Sequence, residues 1–428
     1  MENLTFGTDG IRGIYGETLT TEVAYRLGAA LGAEGDVLIG RDNRPSSPAL
    51  AEALSLGVTR AGGRPVALGL TTTPALYYVL TRLSLSHAVM ITASHNPPAH
   101  NGLKVFTPDG KLTEEARKRL ERKMRETRLP SLLTAPLEED PSPLDLYVDF
   151  YREAVGRLNG MTAVVDYAGG AGYAFRDLLG SLGVKVRPLD LRERGDRINE
   201  KCGALHPENC AEAVRRLGAD VGISIDGDGD RIIAVDSSGE ILDGDRIVHL
   251  FACRMKGKGL LKKDKVALTV MTNSGVLKSL SERGITAVSC AVGDAAVAQT
   301  MRAEGLNLGG EQSGHVILGD HLMTGDALLV GGMLMKSIRE EGPLSLTSPP
   351  TVYPQVLLNV RVKDKRVAYD PALQSLAAEI KEELEEGRVL LRASGTEEVV
   401  RVMVEHPNES RARLAAERLK EAILSLTR

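Results

Sequence analysis

The chemistry in this chain is most concentrated at Asp226-Gly227-Asp228-Gly229-Asp230-Arg231, where three carboxylates alternate with glycines directly after the apolar run 221–225. Such alternation converges hard oxygen donors, and three neighbouring negative charges repel one another unless a cation offsets them. A divalent ion is the natural partner. A solvated acidic turn has a similar composition, but it fits poorly with a run that caps an apolar strand and ends in Arg. An EF-hand loop begins with the same alternation, yet its sixth position here is Arg231 rather than Gly and its twelfth is Ser237 rather than Glu. A phosphoaspartate nucleophile within the acidic run is an alternative that spacing leaves open.

A second segment, Thr92-Ala93-Ser94-His95-Asn96-Pro97-Pro98, also follows an apolar run. The Ser94 hydroxyl can hold a phosphoryl group that is stable yet transferable once a metal and cations neutralise its oxygens. The G-x-S-x-G elbow of esterases is missing, and a Ser-His pair also occurs as a plain turn or helix cap. In Asn101-Gly102-Leu103-Lys104, Gly102 permits a tight turn that could bring Lys104 back. A partly desolvated amine near other cations loses its proton more readily, which makes Lys104 a candidate base; the plain alternative is an exposed lysine.

Gly309-Gly310-Glu311-Gln312-Ser313-Gly314-His315 sets a carboxylate and a hydroxyl two residues apart among glycines. Glu311 can accept from two adjacent hydroxyls of a polyol, with Ser313 and His315 completing the pattern. Arg392-Ala393-Ser394-Gly395-Thr396-Glu397, with Arg401 beyond it, has the makings of a phosphate cradle, although a hairpin tip has a similar composition. Near the start, Arg12 within residues 8–13 adds a cation to an anionic site or sits in a surface turn.

These motifs need strands and turns to place them. Short β-branched runs at 37–40, 89–92, 163–165, 221–225 and 266–270 each end in a polar or Gly-rich turn, with amphipathic stretches between them. That alternation predicts α/β layers whose ligands gather where strands end. Residues 114–128 read as a charged helix, and 130–143, with four prolines, as a linker. Boundaries fall near 149, 250 and 350, giving units 1–149, 150–250, 251–350 and 351–428. The last differs in order: strand 356–362, helix 371–386, strands 389–392 and 399–405, helix 410–426, a small α+β unit.

At 428 residues, with 43% hydrophobic and 26% charged side chains, the chain has ordinary globular composition and is too long for one core. A net charge of −4 without a basic stripe or tail argues against nucleic acid as a partner. Cys202, Cys210, Cys253 and Cys290 show no CxxC spacing and read as buried thiols in a reducing compartment. No apolar run spans a bilayer and no leader pattern opens the chain, so a cytoplasmic protein without a membrane partner is expected.

Taken together and in their order along the chain, the motifs resemble the α-D-phosphohexomutase superfamily over essentially the whole chain. The resemblance implies three similar α/β domains with mixed sheets and a smaller C-terminal α+β domain around a central cleft. It also implies an isomerase that interconverts the 1- and 6-phosphates of a hexose or hexosamine, using Mg²⁺, phosphoserine at Ser94 and a bisphosphorylated hexose as intermediate or activator. On this resemblance Ser94, Asp226, Asp228 and Asp230 hold the metal and Lys104 is the base, while Arg12, His95 and Arg231 lie near the transferring phosphoryl group. Glu311, Ser313 and His315 bind the sugar. Arg392, Ser394, Gly395 and Thr396 hold the phosphate that is not reacting, with Arg401 beside them. Residues 6–13, Ile198-Asn199-Glu200-Lys201-Cys202-Gly203 and Gln312 most resemble the branch acting on glucosamine phosphates, with the mannose/glucose phosphate branch close. Glu398, Ala295 and Gly169 depart from the usual Pro, Arg and Asn. A non-catalytic metal or phosphosugar-binding protein is the reading from another class. Oligomeric state is left open.

Overall fold

The computed structural model describes residues 6–7, 10–189, 195–344, 351–394 and 398–427. The order begins β1 (Ile11–Ile14), α1 (Thr21–Gly32), β2 (Val37–Arg41), α2 (Ser47–Arg60), β3 (Pro65–Leu70), α3 (Thr73–Leu83), β4 (His87–Ile91), β5 (His100–Thr107), β6 (Gly110–Lys111) and α4 (Glu114–Glu126). It continues with α5 (Asp145–Val155), β7 (Thr162–Asp166), α6 (Leu178–Ser181), β8 (Lys185–Pro188), α7 (Glu208–Leu217), β9 (Val221–Ile225), β10 (Ile232–Asp236) and β11 (Ile241–Leu242). Next come α8 (Gly244–Gly257), β12 (Lys265–Thr269), α9 (Ser274–Glu282), β13 (Thr286–Cys290), α10 (Asp294–Glu304), β14 (Leu308–Gly310), β15 (Val316–Leu318) and α11 (Ala327–Glu341). The chain closes with β16 (Gln355–Arg361), α12 (Pro371–Leu384), β17 (Arg388–Ala393), β18 (Val399–Glu405) and α13 (Glu409–Leu426).

The apolar runs become strands because each can be buried on both faces: every residue of β4 and β9 is buried. The α/β layers are mixed, as expected. In the first sheet, β3 and β4 run parallel to β2, while β5 runs antiparallel to β4 and β1 to β5. The second repeats the plan, with β8 and β9 parallel to β7, β10 antiparallel to β9, and β11 to β10. In the third, β14 is parallel to β12 and β15 antiparallel to β14. The last sheet, ordered β16-β18-β17, is wholly antiparallel and shares a core of Val, Leu, Ile and Ala with α12 and α13. This is the expected α+β unit. In every sheet the candidate motif occupies one topological place, the connection between a strand and the antiparallel neighbour that follows it: β4 to β5, β9 to β10, β14 to β15, and β17 to β18.

The chain forms two compact units, Met1–Val270 with Val288–Pro349, and Met271–Ala287 with Pro350–Arg428. In the first, the proline-rich stretch 130–143 is irregular but not detached. Glu139 pairs with Arg41 at 2.7 Å, the Asp140 N–H donates to Ala67 O, and Leu133 and Leu137 pack on the core. In the second, buried Glu405 accepts the N–H and hydroxyl of Ser274 at 2.9 and 2.7 Å. All four cysteines are free; Cys210 and Cys290 are buried as expected, whereas Cys202 and Cys253 are partly exposed. Among the described residues no helix is long and apolar enough to cross a membrane.

Helix α11 starts against the acidic loop, its Ala327 N–H donating to Gly229 O at 3.0 Å. Its cap is the buried Asp326, which accepts the Leu329 N–H at 3.0 Å and the Tyr147 hydroxyl at 2.8 Å. Burial outweighs these bonds and pushes the Asp326 carboxyl up to about 6. Because the folded value lies above the unfolded one, this group's contribution to stability is complete below about pH 4 and is lost as pH rises through about 6. Asp326→Asn keeps the cap acceptor but cannot ionise. Its thermal midpoint relative to the parent is therefore expected to improve between pH 4 and pH 7, by roughly 2–3 kcal/mol in stability terms. A difference that stays constant across that range would contradict this account.

Candidate active site

Strand β9 delivers Asp226 to its end, and the turn returns into β10 through Gly229 at φ 74°, a left-handed position that suits glycine. The carboxylates of Asp226, Asp228 and Asp230 are all buried, and each offers an oxygen within 4.8 Å of the others. Asp226 Oδ1 accepts the N–H groups of Gly229 and Arg231 at 3.1 and 3.2 Å. Burial, reinforced by Asp230 and Asp228, raises Asp226 well above the usual carboxylate range. Burial acts on Asp228 in the same sense but is overcome by Lys104, through charge and hydrogen bond, and by Thr73, so Asp228 lies below its ordinary value. Asp228 Oδ1 and Asp230 Oδ1 are buried without a hydrogen-bond partner. Orphaned buried carboxylate oxygens that converge in this way fit a small divalent cation.

The β4–β5 connection brings Ser94 to this cluster, its Oγ–H donating to Asp226 Oδ2 at 2.6 Å. Ser94 is itself buried and left-handed, with φ at 53°. Lys104 is on β5, opposite Met90, and its Nζ lies 2.6 Å from Asp228 Oδ2 and 3.4 Å from Asp230 Oδ2. The turn expected at Gly102 is absent: residues 101–104 lie within strand β5. Glycine is needed there because a Cβ would stand 2.5 Å from Thr92 O, so the constraint is close strand packing. The His95 Nδ1 atom is 3.4 Å from Ser94 Oγ, and burial together with Arg231 and Arg12 lowers His95 to about 4, leaving it neutral at pH 7.

Arg231 follows the acidic run, with Nε 4.0 Å from Asp230 Oδ1; burial opposes its charge, but Asp230, Asp226 and Glu311 raise its value. Arg12 is on β1, beside Gly102 of β5. Glu311 is buried and accepts the Gly293 N–H at 2.9 Å, Ser313 is exposed, and His315 is buried. His315 Nε2 accepts the Gly325 N–H at 2.9 Å, and its Nδ1 lies 3.9 Å from Asp230 Oδ2. His315 also borders a cavity of about 550 Å³ whose walls include Lys111 and Asp294, a pair held at 2.6 Å.

The remaining expected residues belong to the second unit. Arg392 and Arg401 are direct cross-strand partners on β17 and β18. The Ser394 N–H donates to Val399 O at 3.0 Å, and its carbonyl accepts from Lys365 Nζ at 3.0 Å. Gly395 and Thr396 lie outside the described residues.

Three contributors to the site carried no site role in the sequence reading, although Asn199 falls in the stretch 198–203 named there. Arg44, fully buried, donates to the carbonyl oxygens of Ser94, Asn96, Pro97 and His100 and is held by Asp42 at 2.9 Å. Asn199 Nδ2 donates to Ser94 O at 2.8 Å and to Asn96 O at 3.1 Å. Thr73 donates its hydroxyl to Asp228 Oδ2. The available signal was the polar run Arg41-Asp42-Asn43-Arg44 closing β2, in the same strand-end setting as the motifs.

Each of the four sheets thus presents a polar loop at a strand end, and the first unit holds a buried Ser–carboxylate–Lys centre. Family models described as "Phosphoglucomutase/phosphomannomutase" match in series: alpha/beta/alpha domain I at residues 3–130, domain II at 145–239, domain III at 243–349 and the C-terminal domain at 357–422. The chain belongs to this phosphoglucomutase/phosphomannomutase family. It is similar to the phosphoglucosamine mutase of Symbiobacterium thermophilum, 42% identical over 98% of both chains, and to that of Geobacillus thermodenitrificans, 40% identical over 98% of both. Among solved structures, a phosphoglucomutase/phosphomannomutase family protein from Burkholderia thailandensis superposes with a TM-score of 0.81 at 24% identity, over 99% of this chain and 98% of that one. Aspergillus fumigatus N-acetylphosphoglucosamine mutase, in complex with GlcNAc-6P and magnesium, does so with a TM-score of 0.68 at 18% identity, over 99% and 96%. At those identities the two structures establish a shared fold.

Gly227 lets the acidic loop touch the serine loop, since a Cβ there would stand 2.5 Å from Ser94 O. Gly227→Ala should destabilise by about 1–3 kcal/mol, read as a lower thermal midpoint. Gly257→Ala, whose Cβ meets nothing within 4 Å, should stay within about 0.5 kcal/mol of the parent. Equal midpoints for the two variants would show that the contact is not tight.

Proposed function

We propose that this chain interconverts glucosamine 6-phosphate and glucosamine 1-phosphate through a phosphorylated Ser94 and a bisphosphorylated sugar. The chain is an isomerase of the phosphohexomutase class, and the curated relatives quoted above, matched over nearly their whole length, support glucosamine as the sugar. The observation that carries the role of Ser94 is its hydroxyl, 2.6 Å from Asp226 inside the buried triad. Asp226, Asp228, Asp230 and an oxygen on Ser94 would hold Mg²⁺, which when bound supplies positive charge to the phosphoryl oxygens.

The protein's own part is positioning and proton handling. As a sugar hydroxyl forms its bond to phosphorus, the bond from phosphorus to Ser94 Oγ breaks, the hydroxyl proton passes to Lys104, and the leaving Ser94 Oγ takes up a proton to return to a hydroxyl, with His95 Nδ1, 3.4 Å away, in place to relay it. Lys104 Nζ lies 2.6 Å from Asp228 Oδ2, and its base role would require that pair to part, as it would if Asp228 turned to hold the ion. Arg12 and Arg231 add positive charge, while neutral His95 donates or accepts a hydrogen bond beside Ser94. Glu311, Ser313 and His315 grip the sugar. Arg392, Ser394, Gly395, Thr396 and Arg401 cradle the resting phosphate, the two arginines being direct cross-strand partners. The bisphosphate then turns over, and its other phosphate returns to Ser94. The division into domains 1–149, 150–250, 251–350 and 351–428 and a cytoplasmic location are part of the same reading.

Intact-mass analysis should find one phosphoryl group on Ser94, and Ser94→Ala should abolish 1-to-6 phosphate exchange; full activity in that variant would sink the mechanism. In a side-by-side comparison, kcat/KM should be highest for glucosamine 1-phosphate, ahead of glucose 1-phosphate and mannose 1-phosphate. A preference for mannose 1-phosphate would overturn the choice of sugar. Mg²⁺ at a hundred times its Kd should stabilise the parent by about 2.7 kcal/mol, with Asp228→Asn losing most of the shift in thermal midpoint.

A further inference from the structure

Ser94 is held in a conformation that its own chemistry disfavours. A non-glycine residue at φ 53° costs about 1–2 kcal/mol, and such a conformation persists where the surroundings over-determine it. Both peptide groups of Ser94 are pinned. On one side its N–H donates to Thr92 Oγ1 at 2.9 Å. On the other its carbonyl, with two lone pairs, accepts from Asn199 Nδ2 at 2.8 Å and from Arg44 Nη2 at 2.9 Å. The same two donors reach Asn96 O, at 3.1 and 2.8 Å, so the next turn of the loop is tied to the same points.

We infer that Asn199 and Arg44 are positioning residues for phosphoryl transfer: converging on Ser94 O, they lock the left-handed backbone that aims Ser94 Oγ at Asp226. The inference rests on the mutase reading. Each donor is itself fixed. Arg44 is fully buried, with its Nε on Asp42 Oδ2, and Asp42 Oδ1 accepts the Ser47 hydroxyl at 2.7 Å. Asn199 sits at φ 61°, and its N–H donates to Ala168 O at 2.9 Å. Asn199 lies in the stretch 198–203, which the catalytic scheme leaves without a task; here it reaches back 105 residues to the serine loop. Gly227 belongs to the same clamp, since a Cβ at that position would meet Ser94 O and, at 3.0 Å, Asn199 Nδ2.

Neither residue touches the triad, so their loss should alter transfer rather than substrate affinity. Asn199→Asp keeps the shape but replaces the donor with an acceptor. Asn199→Ala removes the same donor without adding a charge beside Ser94 O, which provides a second variant if the first fails to fold. With glucosamine 1-phosphate, each should lower kcat about tenfold or more while KM stays within about threefold. The rate at which dephosphorylated enzyme takes phosphate from glucosamine 1,6-bisphosphate onto Ser94, followed by intact mass, should fall in parallel. Variants that keep the parental kcat, or that raise KM alone, overturn the inference. A parent that turns over and carries phosphate on Ser94 keeps the questions separate, because a parent unable to do so overturns the mutase reading itself.

Discussion

Three buried carboxylates within 4.8 Å of one another are the constraint around which the first unit is arranged. Left alone, such a cluster cannot stay fully ionised, because each charge raises the cost of the next in a medium that screens poorly. The fold answers with Lys104 from a strand of the first sheet, two backbone N–H groups aimed at Asp226 and a guanidinium at the end of the run. It leaves one oxygen each of Asp228 and Asp230 without a hydrogen bond. That residue of unmet charge fits the acidic loop to a cation, and the serine beside it comes from a different sheet.

The four polar loops share a topological address. A strand running alongside its parallel or antiparallel neighbours ends, a short connection follows, and the next strand returns antiparallel to it. This geometry exposes a few backbone and side-chain groups at a strand end while, in the first three sheets, both flanking strands stay largely buried, so a chemically exacting loop sits on a rigid support. The same arrangement serves an acidic loop, a serine loop, a Glu-Ser-His loop and an Arg-Ser loop. Their differences in chemistry therefore reside in a handful of side chains rather than in four architectures.

Much of the frame was legible in the sequence. Apolar runs at 37–40 and 221–225 read as strands because their burial on both faces leaves an unbroken run of β-branched and small residues. Residues 226–231 announced a cation because carboxylates so close in sequence are close in space. The supports behind the motifs were not legible. Arg44 and Asn199 act on backbone oxygens 50 and 105 residues away, and a side chain that recognises a carbonyl leaves no pairing pattern in composition. Gly102 was misread for a related reason: a glycine required by a neighbouring strand looks identical in sequence to one required by a turn.

The backbone of Ser94 has a consequence for how this chain responds to selection. Glycine at that position would accept φ 53° without strain, so the residue best suited to the local backbone is one that cannot carry the hydroxyl. Glycine would also strip Asp226 Oδ2 of the hydroxyl that donates to it, so relief of the backbone is offset by a lost buried hydrogen bond, and selection for heat tolerance alone has little to gain there.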